Sequence, residues 1–203
     1  QIAYYHSKSY DAFGYLDIKN LRENKQTEFN ELHQDILKEK ERSKEVFIRH
    51  FRNKYKTNEL PIWTVVEIIS FGSLSKLFMI LQEKEQNEVI SCMGGINKVV
   101  FFKWFKALSS VRNACAHHAR IWNRRFPTMP IMPEYLPSSW VVIGNFRPNK
   151  LYHQLCCLAY LEQSIAANGD FSKRLLFLMD KSEKINTRSM GFPQEWKNEP
   201  LWS

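Results

Sequence analysis

The side chains best suited to catalysis in this sequence lie in one stretch, Val111 to Arg125, which reads VRNACAHHARIWNRR. The stretch has no Gly or Pro, and Pro127 follows it, so we predict a helix that continues to about Arg125. At about 100° per residue, one arc of this helix is polar and basic, with Arg112, Asn123, Arg120, Asn113, Arg124 and His117. The opposite arc can enter a core and carries Ile121, Ala114, His118, Val111, Trp122, Cys115 and Leu108.

Arg112 and His117 suit the chemistry of a phosphodiester. They are five residues apart, or about 7.5 Å along a helix axis, so both side chains can reach one phosphate. Histidine exchanges a proton near neutral pH, and arginine stays charged while it holds a phosphate by two parallel hydrogen bonds. Asn113 can fix a tautomer or an oxygen. We expect His118 to point to the apolar side, either as a buried, hydrogen-bonded histidine or as one that orients its neighbours.

A structural role is the alternative for Arg112 and His117, in which they pair with acids and hold a helical bundle together. Glu67 is the one acid in the apolar first half of a predicted helix. A carboxylate is costly to bury unpaired, so we expect Glu67 to have an arginine partner, with the Arg112 helix as a candidate source.

The composition predicts a globular chain with a basic balance. Of the 203 residues, 44% are hydrophobic, and 29 Lys plus Arg stand against 21 Asp plus Glu, for a formal charge of +8. This charge favours a polyanionic partner, of which nucleic acid is the commonest, although a solvated basic surface is the alternative. The cysteines are expected to be reduced core residues, because their spacing fits neither a zinc site nor a disulfide framework: Cys92, Cys115, Cys156 and Cys157.

Several site classes find no support in the sequence. It has no cluster of carboxylates for a two-metal nuclease and no Gly-rich phosphate loop, so we predict no metal and no cofactor. It has no apolar run near the roughly 18–20 residues of a transmembrane helix, and the N-terminus does not resemble a signal peptide. We therefore predict a cytoplasmic protein that does not bind membranes.

The periodicity predicts an all-α protein with long loops. The expected helices cover residues 2–8, 27–55 with Thr27 as N-cap, 61–82, 97–109, 111–125, 151–167 and 171–182. The segment 127–150 has five prolines and no helical period, which is typical of a loop or arm. The aromatic residues of the helix over 97–109 are expected in the core rather than as base-stacking groups, and those of the tail (Phe192, Trp196 and Trp202) are expected to hold it on the helices.

Three sequence blocks carry a resemblance to a known family. Arg112, Asn113 and His117 match the R-x4-H motif of HEPN-domain ribonucleases. The string RNACAHHARIWNR, with PIWTVVEIISFGSLSKLF before it and MGFPQEW and PLW after it, resembles the Abi-like abortive infection family of the AbiD/AbiF type. The resemblance implies an all-α HEPN-like helical bundle, of which the family's N-terminal part is expected to be missing here.

The resemblance also implies an activity and partners. HEPN ribonucleases pair two such motifs across a dimer or pseudo-dimer, need no metal and leave a 2′,3′-cyclic phosphate. We therefore expect a homodimeric endoribonuclease of an anti-phage or toxin–antitoxin system, with a regulatory noncoding RNA as a candidate partner. Catalysis would use Arg112, Asn113 and His117, and RNA would be held by His118, Arg120, Asn123, Arg124 and Arg125. The alternatives are a non-catalytic RNA-binding module and a protein-interaction bundle.

The sequence also predicts three segments. Residues 1–126 would form the helical core, 127–150 the proline-rich arm, and 151–203 the C-terminal helices with an aromatic tail that packs on the core.

Overall fold

The computed structural model describes residues 1–132, 140–141, 147–166, 168–182 and 184–202. In these ranges the chain forms nine α-helices and four short 3-10 helices, with no β-strand beyond one isolated bridge between Leu21 and Leu81. The prediction of an all-α fold is confirmed. The chain divides into two compact units, Gln1–Val89 and Ile90–Ser203, which are described separately. The division into three segments stays a prediction.

The first unit contains six helices joined by short connections. They are α1 (Ile2–Ser9), α2 (Gln26–Arg42), α3 (Val46–Tyr55), α4 (Ile62–Ile68), α5 (Phe71–Ile80) and α6 (Glu83–Ser91), the last of which ends just past the unit boundary. Helix α2 packs on α5, and the centre is closed by fully buried side chains of Leu60, Ile62, Val65, Leu77, Ile80 and Leu81. A buried hydrogen bond, 2.7 Å between His6 Nδ1 and Glu85 Oε1, ties α1 to α6.

Two predicted long helices of this unit are each broken into two. Ser43 stops α2 in an extended conformation, and its hydroxyl accepts the backbone N–H of Glu45, a local bond that competes with the helix. Ser70 starts α5 because its hydroxyl accepts the N–H of Ser73 at 3.0 Å. The prediction of Thr27 as N-cap is also wrong, since Lys25 precedes α2. No helix is predicted between residues 82 and 97, and the structure has α6 there, which begins at Glu83.

The second unit is built on α7 (Lys98–Ala116), α8 (Leu151–Ile165) and α9 (Phe171–Asp180), with 3-10 helices at Thr187–Met190 and Trp196–Asn198. Helix α7 is continuous through Ser109 and Ser110, where a break was predicted. Its Trp104 is fully buried, stacks on Trp140 at 5.2 Å between ring centroids, and meets Tyr160 edge-on. The Trp104 indole N–H donates to the carbonyl of Ile131. The core position predicted for this aromatic is confirmed.

The aromatic tail packs on α8, and the predicted packing of the tail on a core formed by residues 1–126 stays a prediction. The ring of Tyr152 lies 4.7 Å from that of Phe192 and 6.1 Å from that of Trp202, whose N–H donates to the Tyr152 hydroxyl. Trp196 is buried in the same cluster. The described parts of the proline-rich segment (127–132, 140–141 and 147–150) contain no helix. The sequence WVVI at 140–143 predicts either a short strand or a packed segment. Trp140 and Val141 are buried, and residues 142–143 lie outside the described residues.

Two further predictions concern the cysteines and membrane-spanning helices. None of the four cysteines is in a disulfide. Only Cys156 and Cys157 are buried, and Cys115 is exposed, so the prediction of four core cysteines is wrong. Among the described residues, no helix has the length and apolar character needed to cross a membrane.

Candidate functional site

Helix α7 ends nine residues earlier than the sequence predicts, and its end shapes the candidate site. His117 is the C-cap, and His118 has a left-handed backbone with φ +51°. The N–H of His118 donates to Cys115 O at 3.0 Å, and the N–H of Ala119 donates to Ala114 O at 2.8 Å. These two bonds form a Schellman motif, which stops the helix and satisfies its last carbonyls.

Because α7 stops early, His118 and the residues up to Arg125 lie outside the helix. His118 is exposed, so the prediction that it points to the apolar side is wrong. The chain turns again after Ile121, whose carbonyl accepts the N–H of Arg124 at 3.1 Å, and Asn123 has φ +53°. Arg120, Asn123, Arg124 and Arg125 therefore project from a looped segment and not from one helical arc.

Asn113 and His117 lie at the same cavity, which has a volume of about 420 Å³. They are one helical turn apart at the end of α7, where His117 N–H donates to Asn113 O at 3.0 Å. Arg112 does not line the cavity, but its Nη1 donates to Asn113 Oδ1 at 3.0 Å. The structure thus brings together the three predicted catalytic residues. Asn113 and His117 line the cavity, and Arg112 is held beside it by its hydrogen bond to Asn113.

Of the five predicted RNA-binding residues, Arg124 alone lines this cavity. Arg124 is half-buried, and its guanidinium carbon lies 5.8 Å from the ring centroid of Phe126, which is within reach of a cation–π contact. His118, Arg120 and Arg125 are exposed and are not among its lining residues.

Asn123 has a structural partner instead of a free side chain. Its carboxamide Oδ1 and its backbone carbonyl both accept from Lys150 Nζ, at 2.7 and 3.2 Å. Lys150 is buried, and its burial, together with the positive charges of Arg125 and Arg147, lowers the pKa of its ammonium group. Asn123 therefore fixes the loop after α7 to the start of α8, and one of its two side-chain polar atoms is occupied.

The sequence reasoning missed four polar residues of the cavity, namely Lys106, Ser109, Ser110 and Thr128. For three of them, the helical spacing from Asn113 or His117 in the sequence could have indicated the site. Lys106 and Ser109 precede Asn113 by seven and four residues, and Ser110 precedes His117 by seven, which places each pair on one helical face. Thr128 follows the helix by twelve residues and carried no such signal.

The net positive charge of the chain comes from the second unit. Residues 90–203 hold fifteen Lys plus Arg and seven Asp plus Glu, while residues 1–89 hold fourteen of each. No acidic residue occurs in the sequence between Glu88 and Glu134, a range that includes α7 and the looped segment after it. The described residues that line the cavity at His117 are all cationic or neutral.

The expected pairing of Glu67 with an arginine is not observed. Glu67 is exposed, so its carboxylate needs no partner to offset burial. The hydrogen bond described for Arg112 is to Asn113. Over the described ranges, no group of three or more His, Cys, Asp or Glu side chains is placed to hold a metal ion.

Fold and site define an all-α protein with a basic cavity at the C-terminal end of its longest described helix. The chain belongs to the Abi-like protein family, whose model matches residues 1–123 and so includes Arg112, Asn113 and His117. Membership of this family indicates a role in abortive infection. No match to a curated protein or to a solved structure reaches significance.

Proposed function

We propose that this protein is a metal-independent endoribonuclease of abortive infection, with Arg112, Asn113 and His117 as its catalytic residues. One observation carries the proposal. The imidazole of His117 and the amide of Asn113 lie at one cavity with the cations Lys106 and Arg124, and Arg112 is hydrogen-bonded to Asn113. A proton-transfer group surrounded by fixed positive charge is what cleavage of a phosphodiester requires.

The reaction follows from these groups. His117 takes the proton of the RNA 2′-OH, and the 2′-oxygen attacks the adjacent phosphorus. The bond from phosphorus to the 5′-oxygen breaks, and that oxygen takes a proton from a general acid. The products are a 2′,3′-cyclic phosphate and a 5′-OH. Arg112, Lys106 and Arg124 stabilise the extra negative charge on the phosphorane.

A second copy of the chain would supply the general acid. A neutral His117 that takes the 2′-OH proton as base cannot at the same moment supply a proton to the leaving oxygen on the far side of the phosphorus. Two copies of the motif divide these roles, so we infer a homodimer in which the protonated His117 of one chain faces the neutral His117 of the other. We place this reaction in the cytoplasm, where its RNA substrate and a regulatory noncoding RNA would be met.

The rest of the basic segment would hold the strand. His118, Arg120 and Arg125 are exposed on the looped part that follows α7, a part of the chain with no acidic residue. Their contacts would go to phosphate oxygens, which position a strand without reading its sequence. Asn123 would contribute through its free amide NH₂ and through the loop shape that it maintains.

A non-catalytic RNA-binding module is the second candidate. It is favoured by the His117 imidazole, which is exposed and has no hydrogen bond to any side chain in the described part of the protein. A histidine base is normally oriented by a third group. The two functions differ in what His117→Ala does, because an RNA-binding module would keep its cellular effect without the imidazole.

The test compares wild type with Arg112→Ala and His117→Ala, and uses His50→Ala, an exposed histidine of α3, as the matched control. Each protein is induced in a bacterial host, and purified protein is incubated with labelled RNA in EDTA. We expect growth arrest and cyclic-phosphate ends from wild type and His50→Ala, and neither from the other two variants. Wild type that shifts RNA in a gel without cleaving it would establish the binding module instead.

A further inference from the structure

A second and larger cavity lies at the C-terminal tail and has no role in the reaction described above. Its volume is about 860 Å³, within the range of roughly 300–1,000 Å³ that ligand sites occupy. Its polar lining comes from Arg147, Thr187, Arg188 and Gln194. Two guanidinium groups with a hydroxyl and an amide are donors that suit the oxygens of a phosphate.

The tail backbone is built to close against the start of α8. Gly191 has φ +90°, and a Cβ at this position would lie 2.7 Å from Cβ of Lys150, so a larger residue does not fit without movement. The next residue, Phe192, is buried against Tyr152. Together these contacts fix the 3-10 helix Thr187–Met190 in place, and with it Arg188 at the cavity.

The positive charge around this cavity is not neutralised within the described part of the chain. Arg147 and Arg188 are exposed, and no described acidic side chain forms an ion pair with either. The neighbouring Lys150 is bonded to two neutral oxygens of Asn123, and the charges of Arg125 and Arg147 help to lower its pKa. Like charges held this close repel each other, and a bound anion would relieve the repulsion.

We propose that this second cavity binds phosphate groups of the RNA strand whose scissile bond lies at His117. This inference rests on the proposed function and adds a second contact region for the same substrate. The looped segment after α7 connects the two cavities. Arg124 lines the first cavity, and its neighbour Asn123 is hydrogen-bonded to Lys150. Lys150 in turn lies beside Gly191, which lines the second cavity. The strand would follow this segment, past Arg125, to Arg147 and Arg188.

The experiment measures RNA affinity against salt concentration. In a His117→Ala background, which lacks the proposed base and so leaves RNA intact, we compare Arg147→Gln/Arg188→Gln with the charge-retaining Arg147→Lys/Arg188→Lys. Lys173→Gln/Lys184→Gln, two exposed lysines outside both cavities, is the matched control for lost charge. The probes are a labelled strand of about 16 uridines, at the long end of single-strand site sizes, and a uridine trinucleotide, which has far fewer phosphates to share between the two cavities.

For the long strand, we expect Arg147→Gln/Arg188→Gln to reduce the slope of log affinity against log salt by about 1.4, because each phosphate contact on a single strand contributes about 0.7. The lysine pair should keep the slope, and the Lys173/Lys184 pair should leave it within error. Trinucleotide binding at the first cavity should be the same in all four proteins.

Two kinds of failure are distinguishable. An unchanged slope in Arg147→Gln/Arg188→Gln, an equal loss in the Lys173/Lys184 control, or an equal loss with the trinucleotide would overturn the second site alone. Absence of both RNA binding and cleavage in protein with an intact His117 would overturn the proposed function, and this inference with it. Circular dichroism melts of each variant verify that the exposed substitutions leave the fold intact.

Discussion

The ammonium nitrogen of Lys150 lies 2.7 Å from Oδ1 of Asn123 and 3.2 Å from the backbone oxygen of the same residue. Asn123 is one of the few residues other than Gly with a left-handed backbone, a conformation that Asn tolerates better than most residues. One side chain thereby anchors the looped segment after α7 to the start of α8. Asn123 is therefore a structural link as well as a predicted RNA contact, and the RNA contact stays a prediction.

Asn123→Ala tests this link. It removes one acceptor from a buried ammonium, which costs about 1–3 kcal/mol, and places Ala at φ +53°, which costs about 1–2 kcal/mol more. We expect the free energy of unfolding in urea to fall by the sum of the two. Asn123→Gly also removes the acceptor, but glycine adopts a positive φ without strain. This variant should therefore lose only the free energy that comes from the missing acceptor. Equal and small losses, under about 0.5 kcal/mol, would contradict the link.

Gly191→Ala and Gly95→Ala form a matched pair. Both glycines have positive φ, but a Cβ at Gly191 would meet Lys150 at 2.7 Å, whereas nothing lies within 4 Å of a Cβ at Gly95. The Gly95 variant should lose about 1 kcal/mol from backbone strain alone. The Gly191 variant should lose at least about 1 kcal/mol more, because the neighbour must shift. Similar unfolding midpoints for the two variants would show that the tail does not close on Lys150.

His153 makes stability depend on pH. Its burial lowers the pKa of the imidazole to about 4, against about 6.5 in an unfolded chain. Between these values the unfolded chain binds more protons than the folded chain. The contribution of His153 to the free energy of unfolding is therefore fully present above about pH 6.5. It falls by about 3 kcal/mol as the pH drops towards 4. His153→Leu should flatten this part of the urea-unfolding profile. His33, whose pKa is also lowered by burial, accounts for a smaller residual slope, and the exposed His50→Leu should change nothing.

Lys106 should matter for cleavage and Lys103 should not. Both are exposed lysines of α7, but Lys106 lines the His117 cavity and Lys103 does not. If Lys106 stabilises the phosphorane, Lys106→Ala should lower kcat for RNA cleavage about tenfold or more, since loss of one preorganised donor costs up to about 10²–10³. Lys103→Ala is the matched control. An equal effect of both substitutions would indicate a general charge effect rather than a role in the cavity.

Ser70→Ala and Thr27→Ala compare an observed cap with a sequence-predicted one. Ser70 accepts the N–H of Ser73 at the start of α5, and its loss should cost about 1 kcal/mol. Thr27 lies inside α2, is exposed and is not its cap, so Thr27→Ala should stay within about 0.5 kcal/mol of wild type. A larger loss for Thr27 than for Ser70 in thermal unfolding would reverse this assignment.

The sequence by itself determined the helical class and the burial of Trp104, because both depend on a local periodicity of apolar and polar residues. The same periodicity placed Asn113 and His117 on one face. It could not find the helix ends at Ser43 and Ser70, since the apolar pattern continues across both breaks. The tail has no such period, and only its aromatic residues indicated that it would pack.

Only the tertiary structure decided where α7 stops and what surrounds its end. The Schellman turn uses His118 at a left-handed position that sequence rules reserve for Gly or Asn, so a helix to Arg125 was the reasonable expectation. The Asn123–Lys150 link joins residues 27 positions apart, and the second cavity is lined by Arg147 and Arg188, which are 41 positions apart. Such contacts depend on the long-range packing of α7, α8 and the tail, which no local pattern encodes.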